Sequence, residues 1–159
     1  MPTLVQLRTE VLAYGFDANM YSGRIDNWLN EAQSRIARSC EIPTLWTTAT
    51  VDTVAGTDSY RLETNFIRMS KIYHQGQQQE LMPVDIGELR AMTQGGYSTA
   101  VGFPEIYAVA WEPATSLLAS GVAVIVGPIP DAVYTLQYDY YSRPTDLTSD
   151  SKTSTLPAD

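Results

Sequence analysis

The apolar positions of the first fifteen residues repeat at the spacing of an α-helix. Thr3 and Gln6 stand at the positions of a capping box, which predicts a helix that begins directly after Thr3. Gly15 can end this helix, because glycine readily adopts the left-handed conformation found just beyond a helix. The apolar side chains of the segment are Leu4, Leu7, Val11 and Leu12.

A second, longer helix is predicted after a loop at residues 16–21. Ser22 or an adjacent residue is expected to cap this helix, and Pro43 lies just beyond its end. Glu31 precedes Arg35 by four residues, the favourable order for an ion pair on a helix. The apolar stripe of the helix consists of Ile25, Trp28, Leu29, Ala32, Ile36 and Ala37.

Beyond Pro43 the pattern changes to short runs of β-branched and aromatic residues separated by turn residues. Asp85 and Glu88 form a second capping-box-like pair, so a short helix is expected near residues 85–94, with Gly95-Gly96 as its stop. In the final strand, Leu136, Tyr138 and Tyr140 are expected to share one face. The predicted strands cover residues 46–54, 60–62, 66–74, 80–84, 105–111, 121–126 and 134–141.

These elements predict an α+β fold with three parts. Residues 1–42 form an N-terminal helical hairpin or bundle. This part packs with a β-rich body at residues 43–142, built as an antiparallel sheet or as a small barrel or sandwich. Residues 143–159 are polar and rich in Ser, Thr and Asp, so we expect an extended C-terminal tail that does not fold alone.

Composition and charge limit the classes of function. The chain has 159 residues, of which 44% are hydrophobic, so it can bury a sizeable core. No run approaches the roughly 18 apolar residues of a membrane span, and the start has no signal-peptide pattern, so synthesis in the cytoplasm is expected. The net charge is −8, and residues 41–159 hold all of the excess, with six basic and fourteen acidic side chains. A protein that grips nucleic acid by its phosphates needs the opposite balance.

Candidate catalytic and metal-binding residues are few. His74 is the single histidine and is expected to be an ordinary hairpin residue, while Cys40, the single cysteine, is expected to be small and buried. The sequence contains no nucleophile elbow, Walker loop, dinucleotide fingerprint or EF-hand loop. We therefore predict no enzyme, no cofactor and no metal. Carboxylate pairs of a glycan hydrolase remain an open alternative, because acidic residues occur throughout the β-rich part.

The ten tyrosines offer a second alternative, a carbohydrate-binding module, because aromatic rings stack on sugars. The densest group is Tyr138, Tyr140 and Tyr141 around Asp139. Alternation along a strand divides these tyrosines between two faces, which is usual for a core and a sheet surface. We therefore favour a packing role for them.

Three segments together resemble the head-to-tail adaptor proteins of tailed double-stranded DNA bacteriophages, also called connector or head-completion proteins. The first is the second helix with its exit, from Ile25 through Ile42-Pro43 to Trp46. The second runs from Val126 through Pro128-Ile129-Pro130-Asp131-Ala132 into the last strand. The third is Arg143-Pro144 with the closing Leu156-Pro157. The resemblance covers most of the chain.

The resemblance implies a structural subunit of the virion neck, at the head-tail junction. The alternative is a carbohydrate- or receptor-binding β-rich module of a phage tail. Such adaptors form a ring, commonly of twelve subunits, which binds the portal protein on one side and a tail or nozzle protein on the other. It implies portal or ring contacts on the second helix, for which the candidates are Asn27, Glu31, Arg35 and Arg38. The candidate tail-side or neighbour contacts are Tyr141, Arg143 and Leu156. Double-stranded DNA would pass through the ring, and a negative wall would make few phosphate contacts.

Overall fold

The chain divides into two compact units. The computed structural model describes residues 2–16, 18–94, 100–114 and 120–156. The helical unit comprises Met1–Trp46 and Tyr141–Asp159, and the β unit comprises Thr47–Tyr140. Within these ranges the elements are three α-helices, one 3₁₀ turn and eight strands in two sheets, which confirms the predicted α+β class.

The first helix, α1 (Leu4–Ala13), begins as predicted. The backbone N–H of Gln6 donates to the Thr3 hydroxyl at 3.3 Å, and the backbone N–H of Thr3 donates to Gln6 Oε1 at 2.9 Å. This reciprocal pair satisfies donors that the first turn of a helix leaves without partners. Gly15 has a φ of +94°, so the predicted stop is also confirmed.

The second helix, α2 (Ala18–Ser39), begins earlier than the sequence pattern suggested. The predicted loop at residues 16–21 was wrong for its last four residues, which are helical. Ser22, the predicted cap, therefore lies inside the helix. Gly23 follows it, and a glycine inside a helix costs only about 1 kcal/mol, which contacts elsewhere can offset. Helix α1 packs on α2, and Arg8 Nη2 lies 2.8 Å from Asp26 Oδ2. A single 3₁₀ turn, Pro43–Leu45, follows α2.

The β unit is a two-sheet structure. The strands are β1 (Trp46–Asp52), β2 (Ser59–Arg61), β3 (Phe66–His74), β4 (Gln79–Glu80), β5 (Met82–Pro83), β6 (Ile106–Glu112), β7 (Gly121–Gly127) and β8 (Thr135–Ser142). One sheet has the strand order β1-β8-β3-β4 and the other β2-β7-β6-β5. Strand β6 pairs antiparallel with β7 but parallel with β5, so the second sheet is mixed rather than purely antiparallel.

The core of the β unit lies between its two sheets. Leu136, Tyr138 and Tyr140 of β8 are buried together, as their predicted shared face requires. Side chains of the other sheet meet them, including Tyr107 of β6 and Val124 of β7. A smaller cluster on the outer face of the second sheet joins Leu89, Ala108 and Ile125. Leu89 belongs to α3 (Ile86–Gln94), the predicted short helix, whose expected Gly95-Gly96 stop lies outside the described residues.

The chain returns to the helical unit after β8. The backbone N–H of Leu4 donates to the carbonyl of Lys152 at 2.9 Å, and the N–H of Ser154 donates to the carbonyl of Pro2 at 3.0 Å. Leu147 is buried within this unit. We call residues 143–156 the return segment. It packs on the N-terminal helices although its composition is polar.

Candidate interaction surface

One face of α2 forms a polar groove with the beginning of the return segment. The groove has a volume of about 720 Å³. Four predicted contact residues, Asn27, Glu31, Arg35 and Arg38, line it together with Arg143. The complete lining is Asn27, Asn30, Glu31, Ser34, Arg35, Arg38, Ser39, Arg143 and Asp146. The structure therefore brings five of the seven predicted site residues to one surface.

The groove carries more positive than negative charge. Arg143 Nη2 lies 3.1 Å from Asp146 Oδ1, which neutralises that arginine within the groove. Arg35 and Arg38 are exposed and make no ion pair or side-chain hydrogen bond with any other residue that the structure describes. The ion pair expected between Glu31 and Arg35 is likewise absent from this part of the chain, since exposed pairs gain little free energy. Two guanidinium groups are thus available to an outside partner.

Two amide side chains, of the partly buried Asn30 and the buried Gln33, hold the return segment against α2. Asn30 Oδ1 accepts the backbone N–H of Leu147 at 2.8 Å, and Asn30 Nδ2 donates to the Leu147 carbonyl at 3.3 Å. Gln33 Nε2 donates to Asn30 Oδ1 at 3.0 Å and to the Thr145 carbonyl at 3.1 Å. These bonds place Arg143 beside the α2 arginines. Sequence reasoning missed both amides, because a polar residue in a helix gives no signal of burial.

A second clamp holds the far end of the return segment. Arg8 on α1 bonds both carboxylate oxygens of Asp26, and its Nη1 lies 3.0 Å from Asp150 Oδ1. The hydrogen bond to Asp26 is the main cause of a raised Arg8 pKa, which the charges of both carboxylates reinforce. Arg8 therefore joins three stretches of the helical unit. Because these side chains are partly exposed, we expect the ion pairs of Arg8 to contribute little to the stability of the folded state.

The apolar stripe of α2 faces the interior only in part. Ile25 and Ala37 are buried as predicted, but Trp28 is 42% exposed and Ile36 is 45% exposed. Asn30 and Gln33 occupy the inner side instead, because the return segment presents backbone groups that require hydrogen-bonding partners. The sequence pattern thus predicted the helix correctly, but its apolar stripe did not reveal that Asn30 and Gln33 lie on the inner side.

Ile36 lines a second depression, which we call the apolar groove. Its volume is about 220 Å³. Leu7, Leu29, Ala32 and Ile36 line it, and so does Leu156, one of the predicted contacts. Gln33 also lines it, and the buried Gln33 Oε1 has no hydrogen-bond partner among the described residues. The seventh predicted contact, Tyr141, is half-buried in β8 and lies in neither groove.

The β unit places the other candidate residues in packing roles. The His74 ring lies at 5.0 Å from the Phe103 ring and 5.7 Å from the Tyr134 ring, and its Nδ1 accepts the backbone N–H of Gln77. Tyr138 and Tyr140 are buried, as the packing interpretation predicted, so their rings offer no platform for a sugar. Burial raises the pKa of Tyr138 to about 12.

The structure gives no chemical role to the remaining candidates from the sequence, among the residues that it describes. Cys40 in the helical unit is exposed, so its predicted burial was wrong: it follows the last turn of α2, where the chain leaves the packed face. Within the described ranges no three His, Cys, Asp or Glu side chains gather as metal ligands would. Of the helices in those ranges, none has the length and apolar character to cross a membrane.

Comparison with known proteins identifies the family. The family model described as SU10 adaptor protein matches residues 2–159, nearly the whole chain. No curated protein matches the chain significantly. The chain belongs to the SU10 adaptor protein family, so it is a structural adaptor protein of a bacteriophage and a component of the virion. This confirms the family predicted from the three sequence segments.

Proposed function

We propose that this phage adaptor protein is a neck subunit. Twelve copies of it assemble into a ring between the portal and the tail. Double-stranded DNA passes through this ring, and the chain performs no catalysis. The polar groove is the observation that carries the proposal. It gathers Asn27, Glu31, Arg35, Arg38 and Arg143 on one surface of a family member.

The charges of the groove support a protein partner. Arg35 and Arg38 have no ionic partner among the described residues, and guanidinium groups are well suited to carboxylates at protein interfaces. An acidic segment of the portal or of a neighbouring subunit would neutralise them. Charge complementarity of this kind increases the rate and the specificity of docking more than its affinity.

The exposed apolar side chains of α2 supply the complementary part of such an interface. Trp28 and Ile36 are large, partly exposed and on the same helix as the arginines. Aromatic and arginine residues are the side chains most often found at the energetic centres of interfaces. We propose that Leu156, at the apolar groove, and Tyr141, in β8, take part in the contacts to a tail protein or a neighbouring copy.

The charge of the β unit supports passage of DNA. This unit has four basic and ten acidic side chains, a net charge of −6. A surface of that sign forms few contacts with phosphates, so DNA would move past it without being held. The carbohydrate-binding alternative loses its main support, because the two tyrosines Tyr138 and Tyr140 are buried.

Co-sedimentation with the cognate portal ring tests the proposal. We expect the chain to bind at about one copy per portal subunit, with the stoichiometry measured by mass. The double variant Arg35→Glu with Arg38→Glu should weaken binding at least tenfold. Arg24→Glu is the matched control, because Arg24 is an exposed arginine of α2 outside the polar groove and should leave binding nearly unchanged.

Two results would contradict the proposal. One is failure of the wild-type chain to bind an intact portal ring. The other is a loss of binding free energy in Arg24→Glu about half as large as in the double groove variant. Each reversed charge would then have the same effect, so binding would follow total charge rather than the groove. Thermal unfolding of each variant controls for Arg38, which lies in the last turn of α2 and interacts favourably with the helix dipole.

A further inference from the structure

Strand β1 presents an unpaired edge. It is an outer strand of its sheet and, among the described strands, pairs with β8 alone. The N–H of Thr53, just after β1, donates to the Tyr134 carbonyl just before β8. Because alternate residues of a strand direct their main-chain groups to the same side, those of Thr48 and Thr50 point away from β8. The strand order places no described strand on that side of β1.

Edge strands normally carry features that prevent pairing with another chain, such as lysine, proline or a bulge. The stretch from Trp46 to Val51 contains no charged residue and no proline, and the first charge is Asp52 at its end. Thr48 and Thr50 are exposed, as is Trp46. This edge is therefore open to pairing over most of its length.

Strand β6 presents a second unpaired edge in the other sheet. Strand β5 covers only its beginning, where Met82 pairs with Ile106 and Pro83 with Tyr107. The last bond on this side runs from the Val84 N–H to the Tyr107 carbonyl at 2.8 Å.

The same alternation directs the main-chain groups of Val109 and Trp111 to this open side of β6. Among the described strands, the pairing on this side of β6 ends at Tyr107, so it provides no partner for these groups. Trp111 is 69% exposed.

A depression of about 360 Å³ runs beside this edge. Val84, Tyr107 and Val109 line one side of it, and Ile67 and Met69 of β3 line the other. An extended chain placed here would bond its backbone to β6 and place alternate apolar side chains among these residues. The chemistry that the edge recognises is therefore the main chain of a strand with few charges.

We propose that β1 of one copy of this chain pairs with the open edge of β6 in the next copy. Strand β1 has the properties that the β6 edge requires: seven residues, an unpaired edge and no charge before Asp52. The two edges are different surfaces of the same molecule, so the contact is heterologous. Repeated contacts of this type generate a closed ring when the rotation between copies is right. The inference deepens the proposed ring function and rests on it.

Cysteine cross-linking tests the pairing directly. Cys40 is first replaced by serine, which leaves no other cysteine. Thr50→Cys protein is mixed with Trp111→Cys or with Ala110→Cys, because residues 110 and 111 lie on opposite faces of β6. The mixtures are oxidised with and without the portal ring. We expect disulfide-linked dimers in at least one mixture and none from any single variant alone.

A proline variant tests the same edge of β1 without a cross-link. Thr50→Pro removes an N–H that points away from β8, so the internal pairing is retained while the outer edge is blocked. Thr50→Val keeps the N–H and is the matched control. We expect Thr50→Pro to reduce the assembled fraction at least tenfold at an unchanged melting temperature, and Thr50→Val to assemble normally. If Thr50→Pro does not fold, the cross-linking result decides.

The outcomes separate this inference from the proposed function. Portal binding without cross-links in either mixture would overturn the edge pairing and leave the adaptor function intact. Cross-links in a single variant alone would also overturn it, since they indicate a symmetric contact between like edges. Cross-linked mixed copies that do not bind the portal would support the pairing and contradict the portal contact. A chain that neither binds nor cross-links would contradict both.

Discussion

The two units of this chain are stabilised in different ways. The β unit has a continuous apolar core between two sheets. In the helical unit, hydrogen bonds from Asn30 and Gln33 and ion pairs of Arg8 hold a polar segment against two helices. Apolar burial is not directional, whereas hydrogen bonds define the positions of the groups they join. Hydrogen bonds and ion pairs therefore define the position of Arg143 relative to Arg35 and Arg38 more closely than apolar packing alone would.

Removal of a core side chain should have the largest effect and should act on the β unit. Leu136 is fully buried among residues of both sheets, so Leu136→Ala should lower the free energy of unfolding by about 2–5 kcal/mol. Ile36→Ala on the exposed part of α2 is the control and should cost far less. Denaturant unfolding gives the magnitude, and hydrogen exchange shows which unit opens. A similar loss from both variants would contradict the difference between the units.

Alkaline pH should also weaken the β unit. Burial raises the pKa of Tyr138 to about 12, and it raises the pKa of Tyr60, Tyr107 and Tyr140 as well. A raised pKa in the folded state favours the protonated form. The stability from Tyr138 is therefore complete below its unfolded pKa of about 10 and is lost as pH rises through about 12.

The loss from Tyr138 should amount to about 2–3 kcal/mol, as measured by unfolding between pH 9 and pH 12, a range set by its two pKa values. Tyr138→Phe should remove this part of the pH dependence. Tyr14→Phe, which changes a side chain that is 80% exposed, is the control and should not. An unchanged pH profile in Tyr138→Phe would show that another group governs alkaline unfolding.

A smaller and local effect is expected in the helical unit. Asn30→Ala removes the bonds to Leu147 and leaves buried backbone groups without partners, which costs about 1–3 kcal/mol. Hydrogen exchange at Leu147 should become faster while exchange in β7 and β8 stays unchanged. Asn27→Ala removes the same amide from the polar groove without touching the return segment and serves as the control. Equal protection of Leu147 in both variants would contradict the clamp.

Local sequence signals predicted most of the elements. Thr3, Gln6 and Gly15 determine the ends of α1 through contacts within a few residues, so their effect is visible in the sequence. Strand β3 lies where its pattern placed it, from Phe66 to His74. The early start of α2 was missed because packing on α1 outweighs the weak helix propensity near Gly23.

The candidate surface was only partly predictable. The polar residues of α2 share a face because of helical spacing, which the sequence shows. The approach of Arg143 depends on Asn30 and Gln33, whose partners Leu147 and Thr145 are more than a hundred residues away in the chain. Contacts at that separation leave no periodic signal. The free edges of β1 and β6 also depend on strand order, which no local pattern reveals.

The return segment makes the order of synthesis important. During translation, the residues of the β unit emerge before the segment that carries Arg143, Leu147 and Asp150. The β unit can therefore begin to fold while α1 and α2 still lack their last partner. The polar groove is completed only when this late segment has left the ribosome. Under the proposed function, a chain whose translation stopped early would lack the proposed docking surface. Defective subunits would then be kept out of the virion without a separate quality-control step.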